Sequence, residues 1–237
     1  MPGSVLKAGA RKLIFDNIPQ ALLISLIYII LITVVFRLSG RLSGSINMQD
    51  INQRLAAGDL PGFGIIFTNF RPVGFILALL LLLLQPVVDV GYISYCLKLN
   101  RFQNTEIKDL FNGFLFTIKV ICIFFITTVM VFLWSLLLII PGIIAMYRYR
   151  QAYYILLDDP QKSALQCISE SKQMMHGRKV DLMIIDLSFI GWYFLDLIVL
   201  ILLPPVISFP VISIWLAPYT GLTRAAFYED QIRNIAV

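Results

Sequence analysis

The stretch FNGFLFTIKVICIFFITTVMVFLWSLLLIIPGIIAMYRYRQAYY, Phe111 to Tyr154, decides the fold class. It holds three cations, Lys119, Arg148 and Arg150, and no acid. As one α-helix it would be roughly 65 Å long, about twice the hydrocarbon thickness of a bilayer. It must therefore turn, and Pro141-Gly142 is its strongest punctuation. The reading is two membrane-spanning helices, 113–140 and 143–157, joined by a Pro-Gly turn at the outer face.

The rest of the chain has the same character. It has 237 residues, 59% hydrophobic and 14% charged, with mean hydropathy +0.83. Soluble domains run at about 45–50% apolar and about 25% charged. This composition excludes a soluble globular enzyme, a disordered chain and a nucleic-acid-binding module. Four more apolar runs read as spans: 18–36, 73–97, 179–203 and 206–227. Pro86 is expected to kink the second span, because proline removes a backbone donor and crowds the preceding turn. Pro204-Pro205 is expected to turn a second hairpin, with Pro210 and Pro218 inside or beside the last helix. The first run follows Lys7, Arg11 and Lys12 and precedes Arg-Leu-Ser-Gly without an A-x-A-like site, so it reads as an uncleaved membrane helix. The fold class is an all-α membrane protein: a six-helix bundle with two Pro-turned hairpins, forming a single integral membrane domain over 1–237.

Shorter amphipathic segments lie between the spans. Residues 4–15 form a candidate interface helix with Lys7 and Arg11 on one face. Within 37–71, residues 48–57 read as a short helix and 63–70 as an interfacial dip. Asp159 and Pro160 suit the N-cap and first position of a surface helix reaching Met175, with Ala164, Leu165, Ile168 and Met175 on one side and Gly177 as its C-terminal cap.

The 19 Lys and Arg residues set the orientation. With six spans and the N-terminus in the cytoplasm, only Arg37, Arg41, Arg54 and Arg71 fall outside. The positive-inside rule therefore places both termini in the cytoplasm. The ends of the two hairpins echo each other. Arg150-Gln-Ala-Tyr-Tyr154 precedes Asp158 and Asp159, and Arg224-Ala-Ala-Phe-Tyr228 precedes Glu229 and Asp230. Shared ancestry and shared interfacial surroundings explain this equally well.

Ionisable groups at membrane depth are costly and invite a functional question. Counted from the cytoplasmic helix ends, Asp89, Lys119, Arg150 and Asp186 fall in one layer, roughly 9–12 Å deep at about 1.5 Å per residue, with Arg224 close to that level. Asp89 and Asp186 are expected to face the bundle interior and pair with Lys119, Arg150 or Arg224. Such pairs would serve either helix register or a polar pathway. Asp196 lies nearer the outer face with no evident partner. Gly91 and Gly191 are expected to admit close helix contacts.

No motif for covalent chemistry stands out. The chain has one histidine, His176, and three unpatterned cysteines, and lacks H-E-x-x-H, G-x-S-x-G and a P-loop. No catalytic, metal-binding or cofactor residues are assigned.

The residues Asp159-Pro160, Ala164-Leu165, Ser169, Ser171, Met175 and Gly177 carry a resemblance, with Leu187-Ser-Phe-Ile-Gly-Trp192, Ala217-Pro-Tyr219 and Ala226-Phe-Tyr-Glu-Asp230. Together they resemble a family of bacterial membrane proteins known as domain of unknown function 975. Pro141-Gly-Ile-Ile144, Tyr147-Arg-Tyr149 and Asp109-Leu-Phe-Asn-Gly-Phe114 fit the same pattern, so the resemblance is most specific over 109–230. The family is distantly similar to the membrane portion of some glycerophosphodiester phosphodiesterases, whose catalytic domain is separate. The resemblance implies a multi-pass protein of the bacterial cytoplasmic membrane and supplies no reaction or ligand. The expected role is a non-enzymatic accessory, scaffold or lipid-interacting protein, whose partners are membrane lipids and other membrane proteins, with no nucleic acid. The alternative is a small transporter or channel using the layer of Asp89, Lys119, Arg150 and Asp186.

Overall fold

In the computed structural model, residues 2–43, 72–202 and 210–235 are described. Every regular element among them is a helix. In chain order these are α1 (Gly3–Asp16), α2 (Ile18–Ser43), α3 (Pro72–Asn100), a 3-10 helix (Ile107–Phe116), α4 (Thr117–Leu137), α5 (Ile139–Arg148), α6 (Ala152–Asp158), α7 (Ala164–Met174), α8 (Lys179–Leu187), α9 (Ile190–Leu202) and α10 (Val211–Ile235). Four segments are long and apolar enough to cross a membrane: Ile18–Leu42, Pro72–Asn100, Ile107–Leu137 and Lys179–Val199. The expected elements at 48–57 and 63–70 and the Pro204-Pro205 turn lie outside the described residues.

The chain divides into two compact units, Ile30–Pro86 and Met1–Ile29 with Val87–Val237. In the smaller unit, Val35 and Ala78 are buried. The larger unit holds the polar site. Its centre is the second half of α3, where Val87, Val88, Val90, Tyr92, Tyr95, Cys96, Leu97 and Leu99 are all buried. Glycines bring backbone against backbone there. A Cβ at Gly91 would lie 1.8 Å from the Leu110 carbonyl oxygen, and one at Gly113 would lie 1.9 Å from that of Val87. Gly91 thus admits a close contact, whereas Gly191 does not: a Cβ there would meet nothing within 4 Å. Lys98 pairs with Asp109, which also closes a capping box with Glu106, so the N-terminal end of the 3-10 helix is fixed against the end of α3.

The hairpin within 111–154 departs from expectation. The break falls at Leu138, which is extended (φ −161°, ψ 150°), and Pro141 lies inside the first turn of α5. A proline in the first turn forfeits no helical hydrogen bond, so it need not mark the bend. Gly142 lets α5 close onto α4: a Cβ there would sit 2.0 Å from Ser135 Oγ. The expected helix over 143–157 is two pieces, α5 and α6, separated at 149–151. The span expected over 179–203 is likewise divided at Ser188-Phe189 into α8 and α9.

The N-cap after the membrane run also differs. α7 begins at Ala164, and Ser163 caps it in a reciprocal capping box with Gln166. Asp159 instead accepts the Gln161 amide at 3.1 Å in a local turn. The buried face of α7 is Cys167, Ile168 and Ser171, while Leu165 is exposed. Gly177 beyond it has φ +76°, the left-handed conformation of a chain reversal. α1 buries Leu6, Ala10 and Ile14 and packs against α8 and α10. The Lys7 ammonium lies 4.8 Å from the Phe189 ring centre.

The outer surface is unlike that of a water-soluble protein. Leu115, Ile118, Phe125, Phe132, Leu136 to Ile140, Ile143 and Ile144 are all exposed along the 3-10 helix, α4 and α5. A continuous apolar face of this extent suits lipid tails.

A candidate polar cavity inside the helical bundle

The larger unit holds a half-open cavity of about 440 Å³. It is lined by Tyr28 of α2, Asp89 and Tyr92 of α3, Thr127 and Thr128 of α4, Met146 of α5, Tyr149 and Arg150 at the α5–α6 break, Tyr153 and Tyr154 of α6, and Gly221 and Arg224 of α10. Each wall follows from local sequence. Asp89 and Tyr92 are three residues apart and so share a helix face. The break at 149–151 brings Arg150 to the cavity, and Gly221 lets α10 approach Cys96 and Tyr92.

Three of the five expected charges line this cavity: Asp89, Arg150 and Arg224. Asp186 stands behind Arg224, whose Nε donates to its Oδ1 at 2.9 Å. Asp89 departs from the expected ion pairing: its Oδ1 accepts a hydrogen bond from the Tyr28 hydroxyl at 2.9 Å. Lys119 is not in this group, because its Nζ donates to the Pro160 carbonyl. Among the described residues, the Arg150 guanidinium has no carboxylate within 4.0 Å and no hydrogen-bonded protein acceptor. Asp196 does have partners. It accepts the Ile212 amide at 3.1 Å and the Ser213 hydroxyl, so it caps α10 from α9.

Two of the lining tyrosines are in direct contact. Tyr28 and Tyr92 stack with ring centres 4.2 Å apart at 12°. The Tyr92 hydroxyl is 2.9 Å from Ser25 Oγ. Counting formal charges alone misses these residues, although the i,i+3 spacing of Asp89 and Tyr92 was available as a signal.

The two echoed segments meet beside the cavity, which Tyr154 itself lines. The Tyr154 and Tyr228 rings lie 4.9 Å apart. Arg101 grips Asp158 with both terminal nitrogens, at 2.7 and 2.9 Å, and Glu229 through Nε at 2.7 Å. The Tyr228 hydroxyl donates to the same Asp158 at 2.9 Å. The carboxylates, Asp158 foremost, hold the Arg101 guanidinium above its ordinary range. A loop reading of Arg101 overlooks this role, because its partners are 57 and 128 residues away.

Among the described residues no group of three His, Cys, Asp or Glu could hold a metal ion. Burial pushes the Cys167 thiol above its ordinary value, which disfavours a reactive thiolate.

Described residues whose regular elements are all helices, four segments able to cross a bilayer, a lipid-compatible surface and a cavity carrying Asp89, Arg150 and Arg224 together have the make-up of a membrane protein. Residues 126–235 match the family described as "Protein of unknown function (DUF975)", which bears out over that stretch the resemblance read from the sequence. No curated protein and no solved structure matches this chain.

Proposed function

We propose that this protein holds a lipid-type amphiphile inside the membrane and performs no covalent chemistry. The cavity carries this reading. Its tyrosine walls offer apolar faces with polar edges, as amphiphiles require, and its rim residues Thr128 and Met146 adjoin the exposed Val129, Met130, Ile143 and Ile144. A lipid could therefore reach it sideways from the bilayer.

The proposed topology has six crossings with both termini cytoplasmic, in a bacterial cytoplasmic membrane. Beyond the four long apolar segments, α5 with α6 and α10 would supply the other two crossings. Holding a lipid suits an accessory or scaffold role toward other membrane proteins, with Arg101 fixing the inner ends of the helices.

The test is native mass spectrometry of the full chain extracted in mild detergent. A phospholipid should be retained, and Thr128→Trp, which fills the rim, should release it. A wild-type chain that retains no lipid, or a Thr128→Trp chain that retains it equally well, would refute the reading. Reporter fusions at Pro141 and Pro204 should read as external.

A transporter or channel is the second reading, favoured by Asp89 and Arg150 sharing one cavity. It requires solute flux in proteoliposomes that Asp89→Asn abolishes.

A further inference from the structure

We propose that Arg150 is the anchor for a phosphate-type oxyanion in this cavity, supplied by a lipid headgroup or by a soluble phosphate. This rests on the reading of the cavity as an amphiphile site and assigns the group that recognises the ligand.

The charges around the cavity are satisfied unequally. Arg224 has Asp186 at 2.9 Å, and Asp89 has the Tyr28 hydroxyl at 2.9 Å. The Arg150 guanidinium has neither an ion-pair partner nor a hydrogen-bonded protein acceptor among the described residues. Arg150 is half-buried, and a guanidinium offers five N–H donors in a planar fork and stays protonated, so it presents its charge to the cavity. Its fork matches two oxygens of a phosphate or carboxylate. The space in front of it, about 440 Å³, is far larger than one water molecule requires. Tyr153 and Tyr154 line the same cavity and give the remainder of an amphiphile an aromatic wall with hydroxyls. A nearby cation outside the cavity provides the comparison. Lys119 is bonded to the Pro160 carbonyl and has no part in the site.

The experiment uses the full chain in detergent, stripped of lipid and titrated with dioleoylphosphatidylglycerol or with inorganic phosphate. Occupancy is read by native mass spectrometry, and folding by thermal unfolding and elution volume. Arg150→Gln should weaken retention by about tenfold or more, the scale of one lost charge-assisted bidentate contact. Arg150→Lys should fall between, because it keeps the charge and loses the fork. Lys119→Gln should bind as wild type does.

If the phospholipid binds and inorganic phosphate does not displace it at millimolar concentration, the source is a lipid headgroup. Displacement assigns a soluble oxyanion, and either result supports the oxyanion site. If Arg150→Gln misfolds, Thr127→Asp and Thr127→Asn test the same point without touching the arginine, and only the aspartate should abolish retention. Retention that Thr128→Trp blocks but Arg150→Gln leaves unchanged overturns the anchor while sparing the lipid-holding reading. Absence of retention in the wild type overturns both.

Discussion

Replacing Gly91 by alanine should damage this fold more than a single methyl group normally does. A Cβ there would lie 1.8 Å from the Leu110 carbonyl oxygen, whereas real Cβ contacts essentially never fall below 3.0 Å, so the backbones must separate by at least 1.2 Å. No side chain can rotate to absorb this, because the obstruction is backbone carbonyl. Moving the 3-10 helix away loosens the buried Leu110 and Val87 and strains the Lys98–Asp109 pair. Overpacking normally costs about 1–3 kcal/mol. A rigid backbone obstruction should reach the top of that range, about 3 kcal/mol. At about 2–4 °C per kcal/mol, the thermal midpoint in detergent should fall by roughly 6–12 °C. Gly113→Ala should behave alike, with its Cβ 1.9 Å from the Val87 carbonyl oxygen. Gly9→Ala is the control, since nothing lies within 4 Å of that position in α1. It should be neutral or stabilise by about 0.5–1 kcal/mol through helix propensity. Equal midpoints for Gly91→Ala and Gly9→Ala would refute the crossing as described.

Arg101→Ala should destabilise by about 1–3 kcal/mol, because it leaves Asp158 and Glu229 facing each other without their shared cation; adding Glu229→Gln to that variant should recover part of the loss in the thermal midpoint. Asp196→Ala should cost about 1 kcal/mol by uncapping α10, and Asp196→Asn, which keeps an acceptor, should cost less in the same assay. For Asp230, burial pushes the carboxyl up, but hydrogen bonds and positive charge, those of Arg178 at 2.9 Å included, outweigh it and hold it below its ordinary value. Its stabilisation is therefore present above about pH 4, the unfolded carboxyl range, and disappears as pH falls through the lower folded value. The wild-type midpoint should decline between neutral pH and pH 3 more steeply than that of Asp230→Asn.

The long apolar helices are legible in the sequence because lipid-facing residues need no tertiary partner to explain them. Leu136 to Ile140 are exposed in the structure and still belong there. Element ends were less legible. Pro141 looks like the turn, but proline fits a helix's first turn, and the extended residue is Leu138. Asp159 and Ser163 are both acceptable caps on local chemistry, and packing of Cys167 and Ile168 selects Ser163. The charge layer was partly legible. Depth brought Asp89, Arg150 and Arg224 to one level, but depth along a helix does not fix azimuth, and Lys119 faces Pro160 instead. The tyrosine wall was invisible to a count of charges. Tyr28 reaches Asp89 across 61 residues of sequence.

The echoed segments give the cavity its asymmetry. A shared interface alone would put Arg150 and Arg224 at similar depth, but it would not require Tyr154 and Tyr228 to touch or Asp158 and Glu229 to share Arg101, and they do both. The two arginines thus occupy comparable places with unequal counter-charges. α8 brings Asp186 to Arg224. The stretch from Phe111 to Tyr154, which holds α4 and Arg150 itself, contains no acid at all. The one carboxylate that the described lining does hold, Asp89, accepts from Tyr28, and a second one should close the site from within. Thr127 lines the cavity from α4, and Thr127→Asp adds a negative charge to the cavity that an incoming oxyanion would meet. The expected outcome is loss of bound phospholipid in native mass spectrometry, with Thr127→Asn, equal in shape and uncharged, retaining it. Equal retention by the two variants would show that the arginine's charge is not what the ligand meets.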